Sequence, residues 1–208
     1  IYNGTWSYIK YENVVKCQKL DIIRKHKNIK FSYKSEKLFD IPENLHTLLH
    51  LTFTRISYIS GFDVKNLYIL DLSYTNIGNI AGFDVKNLHE LYLRGTPLRD
   101  ISDFDVKNLR ILKLSGTRIS NISRFDVKNL HTLDLGYTPL SDIASFNVKN
   151  LHHLNLFNTK ISDISGLDVK NLHTLNLSHT NIRNINISGL DVKNLHTLDL
   201  SHTNISDI

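Results

Sequence analysis

A stretch that returns every 21 residues, almost letter for letter, decides most of what this chain can fold into. Phe125–Ile143 reads FDVKNLHTLDLGYTPLSDI, and near-copies begin at Asp63, Asp84, Asp105, Asn147, Asp168 and Asp191. The step is 21 residues except between Asp168 and Asp191, where it is 23. In LHTLDL the leucines alternate with polar residues, which is the period of a strand with one buried face. One such strand cannot bury its apolar face alone. Copies stacked on one another make a parallel sheet over a continuous core, so the repeat predicts a solenoid.

The unit reads L-x-x-L-x-L-x-x-T-x-I-x-x-I-x-x-F-D-V-K-N. For the copy starting at Asp126 the expected core is Val127, Leu130, Leu133, Leu135, Leu140, Ile143 and Phe146. The threonine recurs at Thr54, Thr75, Thr96, Thr117, Thr138, Thr159, Thr180 and Thr203. A small hydroxyl at the tight turn after the strand can bond backbone groups of its own or the next coil, so it reads as a structural ladder. The Asp of DVKN is expected to cap a short turn on the returning side. Asn147 replaces it once and caps equally well. The neighbouring lysines, Lys65 to Lys193, form a solvated column there.

This repeat pattern resembles the leucine-rich repeat superfamily, with Thr where most members have Asn. The ISDIS and NIS segments resemble the short repeats of internalins and SDS22-type proteins. The wording FDVKNLHTLDLS also resembles leucine-rich-repeat proteins of giant amoebal viruses, in which an F-box can precede the repeats; no F-box is visible here. The resemblance covers roughly residues 45–208 and implies an α/β solenoid. That is a right-handed leucine-rich-repeat horseshoe with a parallel β-sheet on the concave face and loops and short 3₁₀ turns on the convex face.

Residues 1–40 stand outside the repeat. A helical stripe through YENVVKCQKLDIIRKH predicts a helix over about 11–26. Ile29, Phe31 and Tyr33 alternate with polar residues as in a short strand. The segment is expected to be a helical N-terminal cap (residues 1–40) on the solenoid (residues 41–208, about eight repeats with the last incomplete). It also concentrates the charge, with nine Lys/Arg against four acids, whereas the remaining 168 residues hold 16 of each sign. The repeats are therefore not a basic nucleic-acid surface.

The motifs of chemistry are missing from the sequence. There is no G-x-x-x-x-G-K-[ST], G-x-G-x-x-G, H-E-x-x-H or G-x-S-x-G, so an enzyme is not expected, nor is a cofactor. His89, His131, His152, His173 and His196 follow the first leucine of their units, and stacking places neighbours about 5 Å apart. His179 and His202 form a second pair. No acid or Cys completes a metal shell, so no metal is expected; a pH-sensitive surface fits the histidines better. Cys17 is the sole cysteine, which leans towards a reducing, cytoplasmic setting, inside a host cell or a virion if the chain is viral. Secretion stays open through the N-x-[ST] sequons at Asn3, Asn121, Asn186 and Asn204. No apolar run approaches the roughly 18 residues of a membrane span. The sequence has no Met and no signal peptide, as expected of a processed chain or a fragment.

The function expected is a non-catalytic protein–protein interaction scaffold binding a protein partner on its concave face. Rival readings are a substrate-recognition subunit of a ubiquitin ligase and an extracellular or virion-surface adhesin. The candidate partner-binding patch is drawn from positions that vary between units and carry aromatics or cations. It comprises Tyr74, Tyr92, Arg94, Lys113, Arg118, Tyr137, His153 and Phe157. At the far end, Leu195, Leu198, Leu200, Ile205 and Ile208 belong to a coil with no polar cap after it. Either the chain was truncated there or two copies meet as a homodimer.

Overall fold

In the computed structural model the repeats and two strands before them build, among the described residues, one ten-stranded parallel sheet whose strand order follows the chain. The structure describes residues 7–10, 28–32, 48–52, 56–57, 67–81, 86–102, 104, 107–123, 125, 128–143, 146, 150–165, 167, 170–183 and 192–205. The strands are β1 (Ser7–Lys10), β2 (Asn28–Ser32), β3 (Leu48–His50), β4 (Ile69–Asp71), β5 (Glu90–Tyr92), β6 (Ile111–Lys113), β7 (Thr132–Asp134), β8 (His153–Asn155), β9 (Thr174–Asn176) and β10 (Thr197–Asp199). β3 to β10 are three residues long, since a 21-residue coil spends most of its length on the return path.

Register is set by the leucine pattern. Leu70, Leu91, Leu112, Leu133, Leu154, Leu175 and Leu198 lie opposite one another along the sheet. A one-residue slip would turn every leucine outwards, so the pairing is strongly specified. The ladder runs on past the strands: Leu114 N donates to Asp134 O at 2.7 Å and Leu135 N to Asn155 O at 2.9 Å. Beneath the sheet, Leu67, Leu88, Leu109, Leu130 and Leu151 are each 0% exposed, and Ile101, Ile122, Ile143 and Ile164 close the core from the returning side. Of the core expected for the unit at Asp126, Leu130, Leu133, Leu135, Leu140, Ile143 and Phe146 are all buried, while Val127 lies outside the described residues.

The threonine ladder is local. Thr75, Thr117, Thr138 and Thr180 donate Oγ1–H to the carbonyl three residues back, on Leu72, Leu114, Leu135 and Leu177, at 2.6–2.7 Å. The hydroxyl satisfies a buried carbonyl of its own coil, because the chain leaves the sheet there and supplies no backbone donor beyond the threonine amide.

The Asp of DVKN lies outside the described residues, and it is the Asn of that motif that shows its role. Asn108, Asn129, Asn150 and Asn194 each donate Nδ2–H to the carbonyl of the preceding coil's lysine, Lys86, Lys107, Lys128 and Lys170, at 2.8–2.9 Å. These bonds tie the returning sides together as the strands tie the front. A 3₁₀ turn is formed at Val192–Asn194.

Ser7–Lys10 and Asn28–Ser32 join the same sheet. β2 spans the predicted alternation at Ile29 and Phe31, and β1 pairs with it in parallel. The helix expected over 11–26 lies outside the described residues.

Candidate functional site

From β4 onwards, alternate residues of each rung face the sheet's concave side. On β5 these are Glu90 and Tyr92, then Arg94 and Gly95 as the chain turns away; on β6 they are Ile111, Lys113, Ser115 and Gly116. Leu91 and Leu112 between them point into the core at 1% exposure.

The third strand residue has a job on most rungs. Asp71, Asp134, Asn155, Asn176 and Asp199 accept the amide two residues on, from Ser73, Gly136, Phe157, Ser178 and Ser201, at 2.9–3.3 Å. This is an Asx turn, in which a short polar side chain stands in for a backbone acceptor. One residue further on the chain is in the left-handed region: Tyr74 (φ 58), Tyr137 (φ 57), Asn158 (φ 52), His179 (φ 57) and His202 (φ 56). Such φ values strain any residue with a Cβ.

β5 and β6 break both halves of this pattern together. Tyr92 and Lys113 stand where the Asx cap belongs, and the left-handed position is glycine, Gly95 (φ 63) and Gly116 (φ 71). Where the turn has a cap, a side chain is carried at positive φ. Where it has none, glycine takes that conformation without strain.

The freed positions are knitted across rungs. Tyr92 donates its hydroxyl hydrogen to Glu90 Oε2 at 2.8 Å, and Arg94 lies over the Tyr92 ring at 6.0 Å. Arg94 Nη2 meets Asp134 Oδ2 at 3.5 Å. Asp134, only 6% exposed, also accepts Asn155 Nδ2–H at 2.8 Å. Burial, then the Glu90 hydrogen bond and charge, push the Tyr92 phenol well above its ordinary value. Burial lowers Lys113, with Asp134 opposing and Arg94 reinforcing. His153 is lowered by burial first and then by His152, His173 and Lys113. That electrostatic link brings His153 into one neighbourhood with Lys113, two rungs away.

Of the expected patch, Tyr92, Arg94, Lys113 and His153 lie on the strand face. Tyr74, 53% exposed, and Tyr137, 60% exposed, stand on the ridge beside it, with Phe157 edge-on to Tyr137 at 4.8 Å between centroids. Arg118 is placed apart: it follows the buried Thr117, its amide donates to Leu98 O on the preceding coil, and its side chain is exposed beyond the turn. Of the coil expected to self-associate, Leu195, Leu200 and Ile205 pack partly buried against the core and Leu198 is 37% exposed, while Ile208 lies outside the described residues.

The imidazole column forms as the spacing predicts. His131 stacks on His152 at 5.0 Å, His152 on His173 at 4.9 Å and His173 on His196 at 5.2 Å, and Tyr68 stacks on His89 at 4.0 Å. His179 and His202 stack at 4.3 Å. In each of His89, His131 and His152, Nδ1 lies 2.7–2.8 Å from the carbonyl of the DVKN asparagine two residues back, a contact that requires the proton on Nδ1. Near-parallel rings hold their nitrogens side by side rather than converging on one point as a metal shell demands. Among the described residues no group of three His, Cys, Asp or Glu is placed to hold a metal ion. No helix there is long and apolar enough to cross a membrane.

Comparison with known proteins follows the same architecture. The family described as Leucine Rich repeats (2 copies) matches residues 128–169. No curated protein matches the sequence. Among solved structures, an internalin (inlF) from Listeria monocytogenes is 24% identical with a TM-score of 0.78, over 89% of this chain and 57% of that one. This chain thus spans just over half that internalin's length. An internalin C2 (inlC2) from Listeria monocytogenes is 27% identical with a TM-score of 0.70, over 76% of this chain and 72% of that one. The LRIM1/APL1C complex gives a TM-score of 0.71 at 17% identity, over 90% of this chain and 36% of that one. Residues 128–169 match the leucine-rich-repeat family directly, the described rungs on either side are built in the same way, and the chain has the fold of a leucine-rich-repeat solenoid.

Proposed function

We propose that the chain is a non-catalytic scaffold that binds a protein partner on the concave face of its sheet, centred on β5 and β6. The observation that carries this reading is the loss of the Asx cap on those two rungs. A cap contributes about 0.5–2 kcal/mol to the structure it closes. β5 and β6 forgo it and present Tyr92 and Lys113 instead, with Arg94 alongside. Local stability given up for large, partly exposed side chains is the mark of a functional position. Tyr and Arg are also the residues that anchor interfaces. The structural neighbours include one solved as the LRIM1/APL1C complex, which supports a protein as the class of partner. The lone Cys17 supports action in a reducing cytoplasm, and the near-verbatim repeats support a viral source.

The test is affinity capture with the wild-type chain and with a Tyr92→Ala, Arg94→Ala, Tyr137→Ala variant. Recovery of the partner falls in the variant while circular dichroism is unchanged. Equal recovery by both proteins sinks the concave-face reading.

A further inference from the structure

Building on that concave-face reading, we propose that Lys113 receives a single carboxylate of the partner, an Asp or Glu side chain on an extended segment lying across β5 and β6. Every acid of this patch whose contacts are described is engaged. Glu90 accepts the Tyr92 hydroxyl at 2.8 Å. Asp134 is met by Arg94 at 3.5 Å, by Asn155 at 2.8 Å and by the Gly136 amide at 3.3 Å. Lys113 is the cation left over. It is half-buried on the strand, and among the described residues no carboxylate lies within ion-pair distance of its ammonium. A cation partly withdrawn from water without a partner is costly, and an arriving carboxylate relieves that cost. The same discomfort shows in the lowered proton affinity of the ammonium, led by burial.

The surroundings give the carboxylate a place to come from. Beside Lys113 the ridge that is aromatic at Tyr74 and Tyr137 drops to glycine at Gly95 and Gly116. The Tyr74 ring leans over Gly95, where a Cβ would come within 2.6 Å of it. Over Gly116 there is room, since a Cβ would meet only Gly95 backbone at 3.6 Å. The result is a notch floored by backbone and bounded by two exposed tyrosines, through which an extended segment can reach Lys113. A polypeptide fits better than a nucleic acid. One unpaired cation among Asp71, Glu90 and Asp134 suits a single carboxylate, whereas a chain of phosphates would be repelled by those acids.

The probe is an otherwise neutral peptide carrying one glutamate and one tyrosine, with its glutamine counterpart as control, titrated into the full chain. Affinity is read by fluorescence anisotropy and location by the Gly95 and Gly116 amide shifts. The glutamate peptide should move both amides, and the glutamine peptide should bind about tenfold more weakly. Lys113→Gln should lower affinity for the glutamate peptide by about the same factor, and Lys113→Arg should keep it. Absence of binding, equal binding to Lys113→Gln, or shifts confined to the Lys86, Lys107 and Lys128 column would overturn the proposal. So would oligouridine binding through Lys113 in place of the peptide. A captured partner that is lost on changing Tyr92 and Tyr137 but not on Lys113→Gln leaves the concave-face reading standing and removes only the carboxylate. A partner lost in neither case removes both.

Discussion

Substituting Gly116 by alanine, alone and together with Lys113→Asn, tests whether the Asx cap and the left-handed residue are one device. At φ 71 an alanine costs about 1–2 kcal/mol in backbone strain. Part of this, about 0.4–1 kcal/mol, is returned because alanine restricts the unfolded chain. Steric conflict adds nothing, since the nearest atoms to the new Cβ are Gly95 Cα and N, both at 3.6 Å. Gly116→Ala should therefore destabilise by about 0.5–1 kcal/mol. Lys113→Asn supplies an acceptor for the Ser115 amide of the kind that Asn155 and Asn176 supply to Phe157 and Ser178 at 3.0 and 2.9 Å. It should stabilise by about 0.5–1 kcal/mol. If the cap steadies the residues that lead into the left-handed position, the double variant recovers more than the sum, with a coupling of about 0.5–1 kcal/mol. Urea midpoints at constant slope measure all three changes. Additivity within about 0.3 kcal/mol would refute the link between cap and glycine.

Other consequences are as specific. Gly95→Ala should cost more than Gly116→Ala, because its Cβ falls 2.6 Å from Tyr74 Cδ1 and the ring must move; the urea midpoints of the two variants decide it. Leu133→Ala, at 1% exposure between β6 and β8, should lose about 2–5 kcal/mol, seen as a lowered urea midpoint. The Tyr92 phenol binds its proton more tightly folded than unfolded, so its contribution is complete below about pH 10 and is lost as pH rises beyond that. The alkaline fall in stability should be shallower in Tyr92→Phe. His153 has the opposite sense: its folded proton affinity is lowered, so stability falls as pH drops below about 6.5, and His153→Gln should flatten that limb.

The strand register, the core leucines and the threonine turn were legible in the sequence because each follows from one period and one burial pattern. Repetition also predicted the histidine stacks, since residues copied at one unit position must lie over one another. Three things escaped this reasoning. Asn108 and its equivalents were visible as a recurrent letter, but which backbone carbonyl they reach depends on how far the returning side of one coil is offset from the next. β1 and the edge pairing of β2 follow no unit, so no period announced them. Arg118 resembles Arg94 by residue type, although Thr117 buries the chain between strand and loop and carries Arg118 beyond the turn. The exchange of Asx cap for glycine was present in the letters at Tyr92–Gly95 and Lys113–Gly116. Only the φ angles gave it meaning.

The asparagine bonds between coils bear on how such a chain changes over generations. On its returning side each such coil reaches back by its asparagine to its immediate neighbour, as Asn129 does to Lys107 and Asn150 to Lys128. Between Asp168 and Asp191 two extra residues intervene, yet Asn194 still reaches Lys170 at 2.9 Å and Thr197 still faces Thr174. A gene segment encoding one unit can therefore be duplicated or lost, and the joint heals with the same two fastenings. Length and content of the face become separately heritable: copying adds rows, and point substitution in a row already copied writes something new on it. β9 and β10, nearly identical, have the form of rows of the first kind, and β5 and β6 that of the second.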